Sequence, residues 1–200
     1  MIAGGRPVAG DDPIRRFSRW LAQARRRQVP LAEAMALATV GRNRRVSVRF
    51  VLLKQVDHRG FVFFTDIRSA KGQELARSPR AAAAFYWDRT GRQVRIEGPV
   101  EQVAPEEADA YWRTRPRQSQ MAASASRQSA QLESRAALLD SVAALRVRFR
   151  GRAIARPGYW TGFRIVPASI EFWTRAAYRL HRRELFVRRR GTWEKTLLQP

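Results

Sequence analysis

Two groups of side chains in this 200-residue chain, Arg49 and Lys54 with Lys71, and Tyr111 and Arg115 with Ser119, have the types and spacing to hold a phosphate. Arg49 and Lys54 flank the apolar run Phe50-Val51-Leu52-Leu53. Lys71 falls two residues after Ser69, in the first turn of a helix that Ser69 can cap, where unpaired backbone N–H groups and the helix dipole attract an anion. Tyr111 and Arg115 are four apart on a helix opened by Pro105, so they are expected on one face, and Ser119 follows just past Pro116. Hydroxyl, guanidinium and hydroxyl together suit charge-assisted phosphate binding. Taken singly, each cation is better explained by a side chain reaching solvent, and Tyr111 at least as well by core packing. Only the combination points to a ligand. His181, between Arg179 and Arg183, is a further candidate, although a lone histidine is more often structural than catalytic.

Other chemistries lack their residues. The chain has no cysteine, which removes disulfides, thiolate nucleophiles and cysteine-based metal sites, and its two histidines, His58 and His181, are too few for a transition-metal centre, so no metal is expected. No phosphate-loop, dinucleotide-binding, HExxH or GxSxG motif is present. The net charge of +22 raises nucleic acid or an anionic membrane as partners. Only Lys54, Lys71 and Lys195 are lysines among 39 basic residues, and the arginines are spread along the chain without a zinc-finger or RNA-binding signature. We therefore expect neither a nucleic-acid nor a membrane partner. The longest apolar run, Ala81 to Trp87, is far short of the roughly 18 residues that a span needs, and the first residues lack an apolar signal core, so a cytoplasmic location is expected.

The elements that must position these groups follow from capping, turn and periodicity signals. Asp11-Asp12-Pro13 starts a helix to about Arg27, with Ile14, Phe17, Trp20 and Leu21 at helical spacing. Met35–Val40, Val46–Lys54 and Phe61–Thr65 read as three strands in meander order, the second with one deeply buried half. A short helix runs from Ser69 to about Arg77 and stops at Pro79, and strands follow at Ala81–Trp87 and Gln93–Val103. Pro105 opens a helix that Pro116 ends, and a longer helix is expected over Gln131–Phe149. Strands near Tyr159–Ile165, Ser169–Trp173, Leu185–Arg189 and Thr192–Leu197 complete an α+β pattern, most simply a barrel. Residues 1–11 are expected to be a flexible segment and 12–200 a single domain.

Six segments, Arg49–Lys54, Arg92-Gln93-Val94-Arg95-Ile96-Glu97-Gly98, Arg115-Pro116-Arg117-Gln118-Ser119-Gln120, Ser126-Arg127-Gln128-Ser129, Ile170-Glu171-Phe172-Trp173 and Arg179-Leu180-His181, occur in the order found in pyridoxine/pyridoxamine 5'-phosphate oxidases, a family the chain resembles from about Asp12 to Pro200. The resemblance implies an FMN-binding split β-barrel, mostly antiparallel with flanking helices, working as a homodimer with FMN at the subunit interface. It implies flavin-binding positions at Arg49, Phe50, Val51, Leu52, Leu53, Lys54, Phe64, Thr65, Lys71, Gln93, Gln128, Ser129, Trp173 and Arg183. Lys54, Tyr111, Arg115 and Ser119 would hold the substrate phosphate, and Arg179, Leu180 and His181 would face the substrate ring, with Arg179 and His181 catalytic. The implied reaction oxidises a phosphorylated B6 vitamer at C4' by hydride transfer to flavin, with O2 as acceptor and H2O2 as product. Ser69-Ala70-Lys71 departs from the family's frequent Ser-Arg-Lys, Arg182 stands where an aspartate is usual, and Leu197 where an arginine is usual. At this level two alternatives stay open: a related flavin oxidase of the phenazine-biosynthesis type, and a non-catalytic FMN or pyridoxal-phosphate binding protein.

Overall fold

The structure is a computed structural model and describes residues 6–7 and 11–200; the expected flexible segment 1–11 lies largely outside the described residues. The first helix, α1 (Pro13–Arg26), begins where its signals lie: Asp12 accepts a hydrogen bond from Ile14 N–H at 2.8 Å and Pro13 fills the first turn. Its apolar stripe, Ile14, Phe17, Leu21 and Ala24, is buried. Phe17 stands edge-on to Phe61 and Phe85, with ring centroids 4.9 Å apart in each case, so the helix plugs the barrel with aromatic contacts.

The strands are β1 (Arg6–Pro7), β2 (Ala34–Val40), β3 (Val46–Leu52), β4 (Gln55–Asp57), β5 (Gly60–Asp66), β6 (Arg80–Trp87), β7 (Arg92–Gln102), β8 (Trp160–Ile165), β9 (Ser169–Thr174), β10 (Arg182–Arg189) and β11 (Thr192–Leu198). Between them lie α2 (Ala70–Arg77), α3 (Pro105–Thr114), α4 (Arg117–Ala125) and α5 (Arg135–Arg148). Every ladder is antiparallel, and the main path runs β1-β11-β10-β9-β7-β6-β2-β3. The long strand β7 serves two partners: Arg92–Glu97 pairs with β9, and Val100–Gln102 pairs with β8, which continues to β5 and β4. The switch occurs at Gly98, where a Cβ would lie 2.0 Å from the Val166 carbonyl oxygen, so only glycine lets the strand turn there. This is a split β-barrel with flanking helices, as expected.

Three expectations need correction. The three-strand meander does not form, because the chain turns at Leu53–Lys54 and β5 pairs with the short β4 and with β8 instead of β3. The strand β3 is not half-buried: it ends the main sheet path, and Val46, Val48 and Phe50 point outward, Phe50 being 78% exposed. An edge strand with an apolar outer face is a surface made for pairing. The long helix begins at Arg135 with Ser134 as its cap, and a separate helix, α4, follows Pro116 directly.

A buried ion cluster ties α1 to the C-terminal hairpin. Glu184 on β10 is 1% exposed and receives Arg16, Arg182 at 3.0 Å and Lys195 at 2.6 Å. Burial works to raise its carboxyl, but hydrogen bonds and charge from Arg16 and Lys195 outweigh that and hold it at about 2. A carboxyl lowered from 4.5 contributes stability that is complete above that value and lost as the pH falls toward about 2. Glu184→Gln is expected to destabilise the fold at neutral pH by about 3 kcal/mol, since it leaves the largely buried Arg16 without its carboxylate. Thermal melts of both proteins down the acid range test this, and a gap that persists unchanged at pH 2 would contradict it.

Candidate active site

Alternation along β3 sends Ser47, Arg49 and Val51 inward while Val48 and Phe50 point out. The inward side meets the start of α2, which Ser69 caps by accepting from Gly72 N–H at 3.2 Å. Between them lies a cavity of about 510 Å³ lined by Arg49, Phe50, Val51, Leu52, Lys54, Phe64, Thr65, Ala70, Lys71, Gln128 and Ser129. The structure thus gathers ten of the fourteen expected flavin-binding residues around one space. Leu53 is the exception within its segment, for its side chain is buried in the core.

Lys71 dominates the electrostatics of this cavity. Its residue is 7% exposed, and its ammonium donates to Gln128 Oε1 at 2.9 Å and Thr65 Oγ1 at 3.2 Å, both neutral oxygens. No carboxylate lies within ion-pairing distance of it among the described residues. Burial, reinforced by the nearby Arg49 charge, pushes its pKa down. A buried cation answered only by neutral acceptors, beside a second cation and the N-terminus of α2, defines a place for an anion.

A second cavity, of about 640 Å³, shares Phe64, Thr65 and Gln128 with the first and is also lined by Arg115, Ser119 and Trp160. Arg115 was expected on the same helix face as Tyr111, but it is the C-cap of α3 in extended conformation, with φ −72 and ψ 143. From there its guanidinium lies over the rings of Trp160 and Trp112, 4.7 and 5.0 Å from their centroids. Its Nη1 is buried and has no hydrogen-bond partner. Burial lowers its pKa, partly opposed by Tyr111. A native fold rarely leaves such a donor unanswered, so this one too is placed for an acceptor absent from the chain. Tyr111 lines neither of these two cavities; its ring stacks on Phe64 at 4.1 Å, which in turn stacks on Trp160 at 5.0 Å. Lys54 faces the first cavity, so the four expected phosphate ligands divide across the aromatic stack.

The remaining expected residues form a separate group. Gln93 on β7, Trp173 on β9 and Arg183 on β10 are cross-strand neighbours in one row. Glu171 accepts from Arg183 Nε at 2.7 Å, an ion pair that raises the pKa of the guanidinium. His181 packs on Trp173 with ring centroids 4.5 Å apart, and its Nδ1 accepts from Ala176 N–H at 3.2 Å, which leaves Nε2 for an outside partner. Arg179 and Leu180 are exposed, and Tyr178 and Arg179 both hold left-handed backbone, φ 52 and 62, a costly arrangement that is common where a loop serves a ligand. Sequence reasoning missed Glu74 and Trp160 near the cavities. Glu74 sits three residues after Lys71 on α2, a spacing that would have placed it on the same face.

Fold and site define a split barrel with two adjoining anion-seeking cavities. Residues 21–153 match the family described as pyridoxamine 5'-phosphate oxidase, and residues 160–200 match the pyridoxine 5'-phosphate oxidase C-terminal dimerisation region. The chain therefore belongs to the pyridoxine/pyridoxamine 5'-phosphate oxidase family. It is 48% identical to the pyridoxine/pyridoxamine 5'-phosphate oxidase of Azorhizobium caulinodans over 201 residues, 100% of this chain and 95% of the relative. It is 50% identical to the protein of the same name from Mesorhizobium japonicum, over 94% of this chain and 93% of that one. Among solved structures, PhzG from Burkholderia lata 383 in complex with tetrahydrophenazine-1-carboxylic acid superposes with a TM-score of 0.90 at 37% identity, covering 94% of this chain and 93% of that one. No helix among the described residues is long and apolar enough to cross a membrane.

Proposed function

We propose that the chain is an FMN-dependent oxidase that converts pyridoxine 5'-phosphate or pyridoxamine 5'-phosphate to pyridoxal 5'-phosphate, with O2 as acceptor and H2O2 as product, the amine also consuming water and releasing ammonia. The observation that carries this reading is a pair of cations without anionic partners, the buried Lys71 and the half-buried Arg115 with its buried Nη1, in two cavities that share Phe64, Thr65 and Gln128. Two phosphorylated ligands side by side account for both. Relatives at 48–50% identity over nearly the whole chain carry that activity in their names.

Lys71, Arg49 and the start of α2 would hold the flavin phosphate, with Thr65, Gln128 and Ser129 alongside. Bound flavin supplies a hydride acceptor that O2 can reoxidise. Arg115 and Ser119 of the second cavity would fix the substrate phosphate, with Lys54 from the first cavity and Tyr111 from the aromatic stack as its further ligands, and so set the distance and angle of its ring; orientation of this kind accounts for much of the rate of such a step. Gln93, Trp173 and Arg183 lie on other strands, and Arg179 and His181 on the loop between β9 and β10; a second copy would bring them to the first copy's cavity. The exposed apolar row Val46, Val48 and Phe50 on β3, together with a match to a dimerisation region, supports such a homodimer with FMN at its interface. The cytoplasm suits a substrate whose charge keeps it from crossing a bilayer.

A phenazine-type substrate is the second reading, favoured by the PhzG likeness. The two differ in their need for phosphate. Peroxide release is expected with both phosphorylated vitamers and not with unphosphorylated pyridoxine; equal rates with and without the phosphate would overturn the B6 reading. Arg179→Ala and His181→Ala are each expected to lower turnover about tenfold, the loss of one orienting contact of roughly 1.4 kcal/mol, while the purified protein keeps its yellow colour. Full turnover in both variants would remove these residues from the site.

A further inference from the structure

Glu74 on α2 has no part in the binding set described above, yet it is the centre of a closed network around Arg49. It accepts from Thr39 Oγ1, from Ser47 Oγ at 2.8 and 2.9 Å, and from Arg49 Nη2 at 3.0 Å. The two hydroxyls in turn accept from Arg49, Thr39 from Nη1 and Ser47 from Nη2 at 2.5 Å, while Nη1 also reaches the Leu37 carbonyl at 3.3 Å. Each hydroxyl thus relays a hydrogen bond from guanidinium to carboxylate. The network joins β2, β3 and α2, and Thr39 in it is buried. Burial works to raise the Glu74 carboxyl, but these donors outweigh it and hold the group ionised.

Arg49 needs such a fixture. It lines the same cavity as Lys71, and each charge disfavours the other, so an untethered arginine would turn away from its neighbour. Ala70 contributes no charge at this end of the cavity, so a displaced Arg49 has no substitute there.

We propose that Glu74 is a positioning residue for the flavin phosphate: through Thr39 and Ser47 it holds the Arg49 guanidinium beside Lys71. The proposal rests on the FMN reading. FMN and riboflavin, which differ by the phosphate alone, separate positioning from general support of the fold. Dissociation constants for both are read from quenching of flavin fluorescence by the apo homodimer. Wild type is expected to bind FMN more tightly than riboflavin. Glu74→Ala is expected to cut that ratio about tenfold and Ser47→Ala about threefold, as one charged and one shared hydrogen bond are lost, with riboflavin affinity unchanged. Glu74→Gln, which keeps an acceptor, should fall between wild type and Glu74→Ala. An unchanged ratio in Glu74→Ala and Ser47→Ala, an equal weakening of both flavins, or tighter FMN binding by Glu74→Gln would each overturn the proposal, the last by making Glu74 a charge that merely opposes the phosphate. A wild-type protein that does not distinguish the two flavins would overturn the FMN reading as well.

Discussion

Replacing Lys71 with methionine is expected to give a protein that melts at a higher temperature without ligand and binds FMN about a hundredfold more weakly. Both effects have one cause. The ammonium is buried, answered by Gln128 and Thr65 alone, and disfavoured by Arg49, so the ligand-free fold bears its desolvation. Methionine has a similar length and no charge, which removes that cost. The same ammonium gives the flavin phosphate a charge-assisted contact from a buried position, worth about 3 kcal/mol, or roughly two orders of magnitude in affinity. The pH dependence has a definite sign. With a folded pKa below the ordinary 10.5, the unfolded chain binds more protons between those two values, so apo stability rises with pH across that window while FMN affinity falls. A Lys71→Met protein should show neither trend. Melting curves and fluorescence titrations read both, and a variant that loses stability while retaining FMN would contradict this account of the cavity.

Arg115→Met is expected to reduce kcat/KM for phosphorylated vitamers by about a hundredfold, mostly through KM, and to leave FMN binding unchanged. The guanidinium already lies over the Trp112 and Trp160 rings, so little further ordering is required when its free Nη1 meets a phosphate oxygen. Loss of a charge-assisted contact of about 3 kcal/mol gives that factor. Methionine preserves contact with the tryptophan rings, so the fold is expected to survive. Steady-state kinetics with flavin content measured in parallel checks it. An unaltered KM would remove Arg115 from the substrate site, and loss of flavin would move it to the cofactor side.

Local signals located most of the frame. Asp12-Pro13 and Ser69 fixed the starts of α1 and α2 because capping depends on residues within one turn. The helix α4 is not legible in the sequence because Pro116 signals a stop, and the Arg117–Ala125 stretch has no capping side chain and Met121 as its one large apolar residue. The fate of β3 was not legible for a different reason. Whether Val48 and Phe50 are buried depends on what packs outside the chain, and alternation in a single sequence cannot distinguish a core face from an interface. The phosphate-seeking residues were recognisable by type, but their division between two cavities depends on the Phe64, Tyr111 and Trp160 stack, whose members lie on β5, α3 and β8. Likewise Glu74 acts through Thr39 and Ser47, from two other elements, so its role emerges only after folding.

If the two cavities hold a flavin and a phosphorylated B6 vitamer in position for hydride transfer, substrate alone should reduce the flavin. Mixing the FMN-loaded protein with pyridoxine 5'-phosphate in the absence of oxygen tests it most directly, since the colour of bound flavin reports its redox state. The account predicts bleaching with formation of one pyridoxal 5'-phosphate per flavin, then return of the colour and release of peroxide when air is admitted. Flavin that stays oxidised in the presence of saturating pyridoxine and pyridoxamine 5'-phosphates would contradict it.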